Sequence, residues 1–154
     1  MGQIDKRLAD IGLSLPEAAR PMANYVPWVR TGNLVFISGQ GPILDGKVNY
    51  PGTLGKDVSL EDGVKSARLS AINVLAQLKN AVDGDLDRVV RVVKLLGFVN
   101  ATADFTDHPK VINGASDLMV EVFGDKGRHA RSAVASPSLP MGISTEVEAI
   151  VEVE

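Results

Sequence analysis

Residues 59–100, SLEDGVKSARLSAINVLAQLKNAVDGDLDRVVRVVKLLGFVN, carry the two strongest structural signals in the chain. Apolar residues recur at steps of three and four over residues 64–82, which predicts an amphipathic helix. Ser59 is a suitable N-cap, and the acids that follow it suit the positive end of a helix dipole. The DGD sequence at 83–85 ends this helix. Residues 88–100 are rich in β-branched side chains and predict a buried strand.

The segments on either side extend this pattern into an α+β fold. Two strand-like runs flank the Thr-Gly-Asn turn at residues 31–33 and predict a hairpin, and residues 43–50 predict a short third strand. A second helix is expected over 109–123, capped by Asp107 and ended by Gly124, before two closing strands, RSAVAS and TEVEAIVEV. The order ββ(β)αβαββ predicts a two-layer sandwich, a mixed β-sheet with two helices on one face.

The domain organisation follows from the length and the distribution of apolar residues. A chain of 154 residues without repeats or linkers predicts a single domain over 1–154, with an N-terminal extension at 1–22 and a core at 23–153. Apolar side chains alternate onto both faces of the predicted sheet, yet two helices can cover only one face. We therefore expect a second copy of the chain to cover the other face.

Composition excludes several classes of function. The formal net charge of −3 disfavours nucleic-acid binding, and the absence of cysteine excludes thiolate nucleophiles and disulfides. No apolar run is long enough to span a membrane and the N-terminus lacks a signal sequence, so a cytoplasmic protein is expected. His108 and His129 lie outside metal-binding spacings, so we expect no metal site and solvated histidines.

The stretch RHARSAVASPSLPMG at 128–142 places Arg131 at the head of a strand of small residues. The planar guanidinium of arginine matches a carboxylate through two parallel hydrogen bonds, although an exposed arginine at a strand edge remains the alternative. Glu146 and Glu148 share one face of the last strand by period-two alternation. They form either a solvated face or, at a closed interface, an acid/base group.

Three stretches resemble the Rid (reactive intermediate deaminase) family, also called the YjgF family. They are NYVPWVRTGNLVFISGQ at 24–40, ADFTDHPKVINGASDLMVEVFG at 103–124, and HARSAVASPSLP through TEVEAIVEV at 129–153. The most specific element is A-R-S-x-V, then L-P, then a glutamate fifteen residues after the arginine. The resemblance is to an outlying branch with an N-terminal extension. It implies a chorismate-mutase-like fold and a homotrimer with active sites in clefts between subunits.

The resemblance also assigns site residues. Arg131 would bind the substrate carboxylate and Glu146 would position the attacking water, as the two catalytic residues. Further substrate-binding positions match Tyr25, Ser38, Gly39, Asn113 and Ala133. The family often has cysteine where this chain has Ala133, and the backbone N–H at that position survives the change. The chain also departs from the family's pattern at Pro137 and in its longer N-terminus.

The resemblance implies hydrolysis of reactive 2-imino or enamino acids to 2-keto acids and ammonia, which requires no cofactor or metal. The alternative is a non-catalytic trimer that binds or senses a small carboxylate. The endoribonuclease activity often attached to this family is disfavoured by an acidic chain without a basic stripe or a histidine pair. Chorismate mutase is suggested by analogy of fold alone. The substrate side chain and the choice between Glu146 and Glu148 stay open.

Overall fold

A computed structural model describes residues 2–21 and 23–154 of the chain. The strands are β1 (Trp28–Thr31), β2 (Leu34–Gln40), β3 (Ile43–Leu44), β4 (Lys47–Val48), β5 (Val89–Asn100), β6 (Ala130–Ser136) and β7 (Thr145–Val153). The helices are α1 (Gln3–Asp10), α2 (Leu60–Ala81) and α3 (His108–Phe123). The expected hairpin, both long helices, the long strand and the two closing strands are all confirmed, and α1 precedes them.

Five strands form one mixed sheet in the order β1-β2-β7-β5-β6. The β5–β6 pair is parallel and is connected through α3, whereas the other pairs are antiparallel. A short third strand is confirmed within residues 43–50, but it lies outside this sheet, because β3 and β4 pair only with each other. Asp45 and Gly46 both have positive φ, at 52° and 76°, which makes a tight two-residue turn and folds this segment back on itself.

Both long helices cover the same face of the sheet. The hydroxyl of Ser59 accepts a hydrogen bond from the Asp62 N–H at 3.1 Å and so caps α2 as expected. The apolar stripe of α2 is buried, and Leu75 is fully inaccessible to solvent. A Cβ at Gly114 of α3 would collide with the carbonyl oxygen of Val64. The absence of a side chain at Gly114 therefore lets the two helices pack closely.

The two faces of the sheet differ in their covering. Along β7, buried residues alternate with half-buried ones from Thr145 to Val153, so every second side chain enters the core beneath the helices. The opposite face carries Val29, Phe36 and Val134, with exposed fractions of 51%, 41% and 43%. We call this the open face. It carries the second set of apolar side chains that the sequence predicts.

The N-terminal segment is packed onto the domain. Asp87 accepts hydrogen bonds from the backbone N–H groups of Ile4 at 2.8 Å and Gln3 at 2.9 Å, so it caps α1 from a distant part of the chain. These same two hydrogen bonds lower the pKa of the Asp87 carboxyl. Leu8 is buried in the main core, and the buried Gln77 donates to the Ala19 carbonyl at 2.7 Å. The segment is therefore anchored at both ends.

Candidate active site

Arg131 is half-buried and held against α3 by one end of its guanidinium. Its Nη1 donates to the Asn113 Oδ1 at 2.9 Å and to the Ser116 Oγ at 3.1 Å. Asn113 and Ser116 lie on neighbouring turns of α3, at the i and i+3 positions. Two contacts on one nitrogen restrict the rotation of the guanidinium, so the structure brings together Arg131 and Asn113, two of the predicted site residues.

His129 supports this arrangement from behind. Its Nδ1 lies 2.6 Å from the Gly127 carbonyl oxygen and therefore donates, which leaves Nε2 of the neutral ring as an acceptor for the Ser116 hydroxyl at 2.8 Å. The Ser116 oxygen can then accept from Arg131. The expectation of a solvated histidine is wrong for His129. Sequence reasoning also missed Ser116, whose signal was its i+3 spacing from Asn113 on the polar side of a helix.

The remaining edge of the Arg131 guanidinium is available to a ligand. Among the described residues, neither Nε nor Nη2 of Arg131 has a hydrogen-bond partner, and no carboxylate lies within 4.0 Å. Arg131 lines a cavity of about 310 Å³ together with Ser116 and His129. Nε and Nη2 form the planar edge that binds a carboxylate through two parallel hydrogen bonds.

Glu146 lines a different cavity of about 450 Å³, together with Tyr25 and Gly39. A Cβ at Gly39 would lie 2.9 Å from the Glu146 carboxyl carbon, closer than a side chain allows. Glycine at this position therefore leaves room for the carboxylate. The structure thus brings three of the predicted site residues to one cavity, and it distinguishes Glu146 from Glu148, which lines a separate cavity on the open face.

The environment of Glu146 raises the pKa of its carboxyl. The larger cause is burial, which disfavours the charged form, and the smaller is the like charge of Glu148 on the same face of β7. A carboxylate whose pKa is raised is a stronger base than an ordinary surface glutamate.

A hydroxyl cluster fixes the start of β7 just before Glu146. The Thr145 hydroxyl is hydrogen-bonded to Ser66 at 2.7 Å and to Ser70 at 2.9 Å, and Ser144 donates to Ser66 at 2.7 Å. All four side chains are fully buried. Breaking hydrogen bonds between buried polar groups is costly, so this cluster holds the backbone that carries Glu146 in place.

A β-bulge lies where β2 passes Glu146. Ile37 pairs with Ala149 and Gln40 with Val147, so β2 has one more residue than β7 between these pairs. The extra residue falls at Ser38-Gly39. The Ser38 hydroxyl donates to the Val26 carbonyl at 2.8 Å and so fixes the chain near Tyr25. Ser38 lines the cavity on the open face rather than the Glu146 cavity.

Ala133 lies on β6, the edge strand of the sheet, and lines a third cavity of about 430 Å³ together with His108. An edge strand leaves every second set of backbone groups without a strand partner. His108 is half-buried and packs edge-on against Phe105, with ring centroids 5.3 Å apart. Within the described part of the chain its Nε2 has no partner, so the expectation of a solvated His108 is also wrong.

Arg131 and Glu146 do not meet within one chain. Arg131 pairs with Leu95 and points to α3, whereas Glu146 pairs with Phe98, three residues further along β5, and projects from the other side of the sheet. Each predicted catalytic residue thus has its own cavity and its own supporting residues. We call them the arginine half-site (Arg131, Asn113, Ser116 and His129) and the glutamate half-site (Glu146, Tyr25 and Gly39).

Comparison with known proteins places the chain in a family. The family model described as "YjgF/chorismate_mutase-like, putative endoribonuclease" matches residues 5–153. The chain belongs to the YjgF/Rid family. The match begins within the N-terminal segment, ahead of the position near residue 22 where the sequence resemblance starts. The α+β fold, with its mixed sheet and helices on one face, is the chorismate-mutase-like fold of this family.

Individual members of the YjgF/Rid family cover nearly the whole chain. "Protein TCP17" of Trypanosoma cruzi is 45% identical over 98% of this chain and 94% of its own length. The crystal structure of "the protein Atu1372 with unknown function from Agrobacterium tumefaciens" matches with a TM-score of 0.92 and 46% identity, over 98% of this chain and 92% of that one. A protein of Dermatophagoides farinae named "2-iminobutanoate/2-iminopropanoate deaminase" is 29% identical over 92% of this chain and 95% of its own.

Across residues 2–21 and 23–154, the histidine and acidic side chains form no group of three that could hold a metal ion. In the same part of the chain, none of the helices has the length and apolar character that crossing a bilayer requires.

Proposed function

We propose that this protein hydrolyses 2-imino acids, and enamino acids after their tautomerisation, to 2-keto acids and ammonia. The observation that carries the proposal is the fixed guanidinium of Arg131, whose Nη1 is held by α3 while Nε and Nη2 have no hydrogen-bond partner among the described residues. Arg131 also lines a cavity. The edge formed by Nε and Nη2 binds a carboxylate attached to the reacting carbon. The relative named as a 2-iminobutanoate/2-iminopropanoate deaminase supports this substrate class.

We further propose that each reaction cleft combines the arginine half-site of one chain with the glutamate half-site of another. The two half-sites are apart within one chain. The open face carries the apolar side chains Val29, Phe36 and Val134 at its surface, and a neighbouring copy would cover them. A homotrimer is the assembly that the family resemblance implies.

The reaction needs positioning and one proton carrier. The electrophile is the protonated imine, and water adds to its carbon while Glu146 accepts a proton from the water, giving a neutral tetrahedral carbinolamine. The Glu146 carboxyl then returns this proton to the amino nitrogen. The C–N bond breaks as the hydroxyl oxygen forms the C=O bond, ammonia leaves, and the Glu146 carboxylate accepts the hydroxyl proton and passes it to solvent. Arg131 holds the substrate carboxylate throughout, so most of the acceleration comes from orientation.

Trapping assays with 2-iminopropionate test the activity and the shared cleft together. Arg131→Ala and Glu146→Gln should each lose turnover. Glu146→Gln should still bind pyruvate, because the Arg131 guanidinium that binds the carboxylate remains. When the two variants are unfolded together and refolded as an equal mixture, about one quarter of the clefts regain both residues, so activity should return.

The control is Arg68→Ala, which removes a half-buried arginine of α2 that pairs with Glu121 of α3, away from both half-sites. It should keep full turnover. A monomer mass in light scattering at micromolar concentration, or mixed oligomers without recovered activity, would contradict the shared cleft. Absence of turnover in the unaltered protein would contradict the hydrolase.

A second candidate, a non-catalytic carboxylate-binding protein, is favoured by one feature of the arginine half-site. All the groups that hold Arg131 come from its own chain. The arginine half-site can therefore bind a carboxylate without Glu146, the base that the proposed cleft takes from another chain. Such a protein binds a keto acid without releasing ammonia. Calorimetric binding of pyruvate that depends on Arg131, in a chain without turnover, selects this candidate.

A further inference from the structure

The glutamate half-site has a wall that comes from the N-terminal segment. Ala19, Arg20 and Pro21 line the same cavity of about 450 Å³ as Glu146 and Tyr25. The wall is fixed in place because the buried Gln77 donates its side-chain N–H to the Ala19 carbonyl at 2.7 Å. A buried amide that loses such a partner is costly, so this contact holds the segment at the cavity.

Arg20 is an exposed, positively charged residue of this cavity wall. Among the described residues that line it, Arg20 is the one cationic side chain and Glu146 the one carboxylate. Within the described part of the chain, no carboxylate lies within 4.0 Å of the Arg20 guanidinium. Arg20 is thus not neutralised by the base of its own cavity.

The rest of the lining is largely apolar and leaves few other ways to recognise a polar side chain. Pro27, Ile43 and Ile143 contribute hydrocarbon surface. A carboxylate is costly to bury in an apolar cavity unless a cation pairs with it.

We infer that Arg20 is a specificity residue that binds a second carboxylate, at the far end of the substrate side chain. The inference rests on the proposed function. The carboxylate next to the imine carbon would sit on Arg131 of one chain, and the side chain would extend past Glu146 to Arg20 of the other. The preferred substrates are then dicarboxylic 2-imino acids, such as 2-iminoglutarate, rather than 2-iminopropionate.

The test compares kcat/KM for 2-iminoglutarate and 2-iminopropionate in the unaltered protein, Arg20→Gln and Arg20→Glu. Arg20→Gln should lower kcat/KM for the dicarboxylic substrate by about 5- to 10-fold, mainly through KM, and leave 2-iminopropionate within about twofold. Arg20→Glu should cause a larger selective loss, because it places a like charge beside the ligand. The matched control is Arg7→Gln, an arginine of the same segment whose Nη1 donates to the Glu121 carbonyl, outside the cavity.

The possible outcomes separate this inference from the proposed function. Turnover of 2-iminopropionate with an unchanged substrate ratio in Arg20→Gln overturns the role of Arg20 and leaves the hydrolase standing. If the unaltered protein turns over neither substrate, calorimetric binding of 2-oxoglutarate and pyruvate decides the matter. An Arg20-dependent preference for 2-oxoglutarate supports the inference, whereas equal affinities, or binding of neither keto acid, overturn it.

Discussion

The covered and open faces of the five-stranded sheet are built from the same strands but have different surroundings. On the covered face Val35, Val147 and Val151 are almost fully buried beneath the two long helices. On the open face Val29 and Phe36 remain about half exposed. Alternation along each strand made both faces apolar, and the length of the chain supplied helices for only one of them. The uncovered face is where we expect another copy to pack.

The two half-sites lie on opposite faces of the sheet. Arg131 points to the helix side, where Asn113 and Ser116 of α3 accept hydrogen bonds from it and His129 holds Ser116 in place. Glu146 projects from the other side of the sheet and is placed by a buried hydroxyl cluster, a β-bulge and the space above Gly39. One half-site is held by direct side-chain hydrogen bonds and the other mainly by its backbone. Substitutions at the two half-sites should therefore have different signatures.

The largest expected effect is on stability, from a substitution beneath the helices on the covered face. Leu75→Ala removes a fully buried side chain and should lower the free energy of unfolding by about 2–5 kcal/mol, because a cavity is left in the core. Phe36→Ala on the open face should cost markedly less and should instead raise the dissociation constant of the assembly. Urea unfolding and analytical ultracentrifugation at matched concentrations measure the two effects. An unchanged unfolding midpoint for Leu75→Ala would contradict the expectation that the covered face stabilises the fold more than the open face does.

The next effect concerns the arginine half-site. Arg131→Lys should lose nearly as much activity as Arg131→Ala, about 10- to 100-fold in kcat/KM, because an ammonium group cannot make the bidentate pair. Folding and assembly should survive both changes, as circular dichroism and light scattering would show. Full turnover in Arg131→Lys would mean that charge alone, and not the planar edge, binds the substrate.

A smaller effect is expected at the residue that orients Arg131. Asn113→Ala removes one of the two acceptors of Nη1, and it should raise KM by about 2- to 10-fold with little change in kcat. Lys110→Ala, on the same helix but paired with Asp107, is the control and should leave KM unaltered. Equal losses of kcat and of kcat/KM in Asn113→Ala would point to a role in the chemical step instead.

The smallest effect is a shift in pH dependence at the glutamate half-site. Activity needs the charged form of Glu146, so it should fall as the pH drops through a pKa that lies above the ordinary glutamate range. Glu148→Gln removes the like charge that helps to raise this pKa, and the acid limb of the kcat/KM profile should move to lower pH. Profiles that superimpose for the two proteins would show that Glu148 does not act on Glu146.

The same pKa shift makes a statement about stability. A carboxyl whose pKa is higher in the folded than in the unfolded protein stabilises the fold at low pH, and this contribution is lost as the pH rises through the folded value. At neutral pH the buried charge of Glu146 is therefore a cost. Glu146→Gln should be at least as stable as the unaltered protein at neutral pH, and this advantage should disappear under acid conditions. Unfolding midpoints across the pH range measure it.

Local patterns in the sequence predicted most of the fold correctly. The Ser59 cap, the apolar stripe of α2 and the alternation in β7 are patterns between residues close in sequence. They favour the same local structure whatever the rest of the chain does. The third strand lies outside the main sheet because Asp45 and Gly46 turn the chain back on itself within two residues. Local sequence does not determine which strand such a short segment pairs with. The packed N-terminal segment was missed because its anchors, Asp87 and Gln77, are far away in the sequence.

The sequence by itself determined the family, the element order, the single face shared by Glu146 and Glu148, and Arg131 as the candidate carboxylate ligand. These depend on residue type and on spacing along one strand or helix. Only the tertiary structure decided that Asn113, Ser116 and His129 hold Arg131, that Gly39 makes room for Glu146, and that Arg20 reaches the same cavity. It also separated Arg131 from Glu146, because strand order and register set which side chains meet, and both depend on contacts between residues distant in the chain.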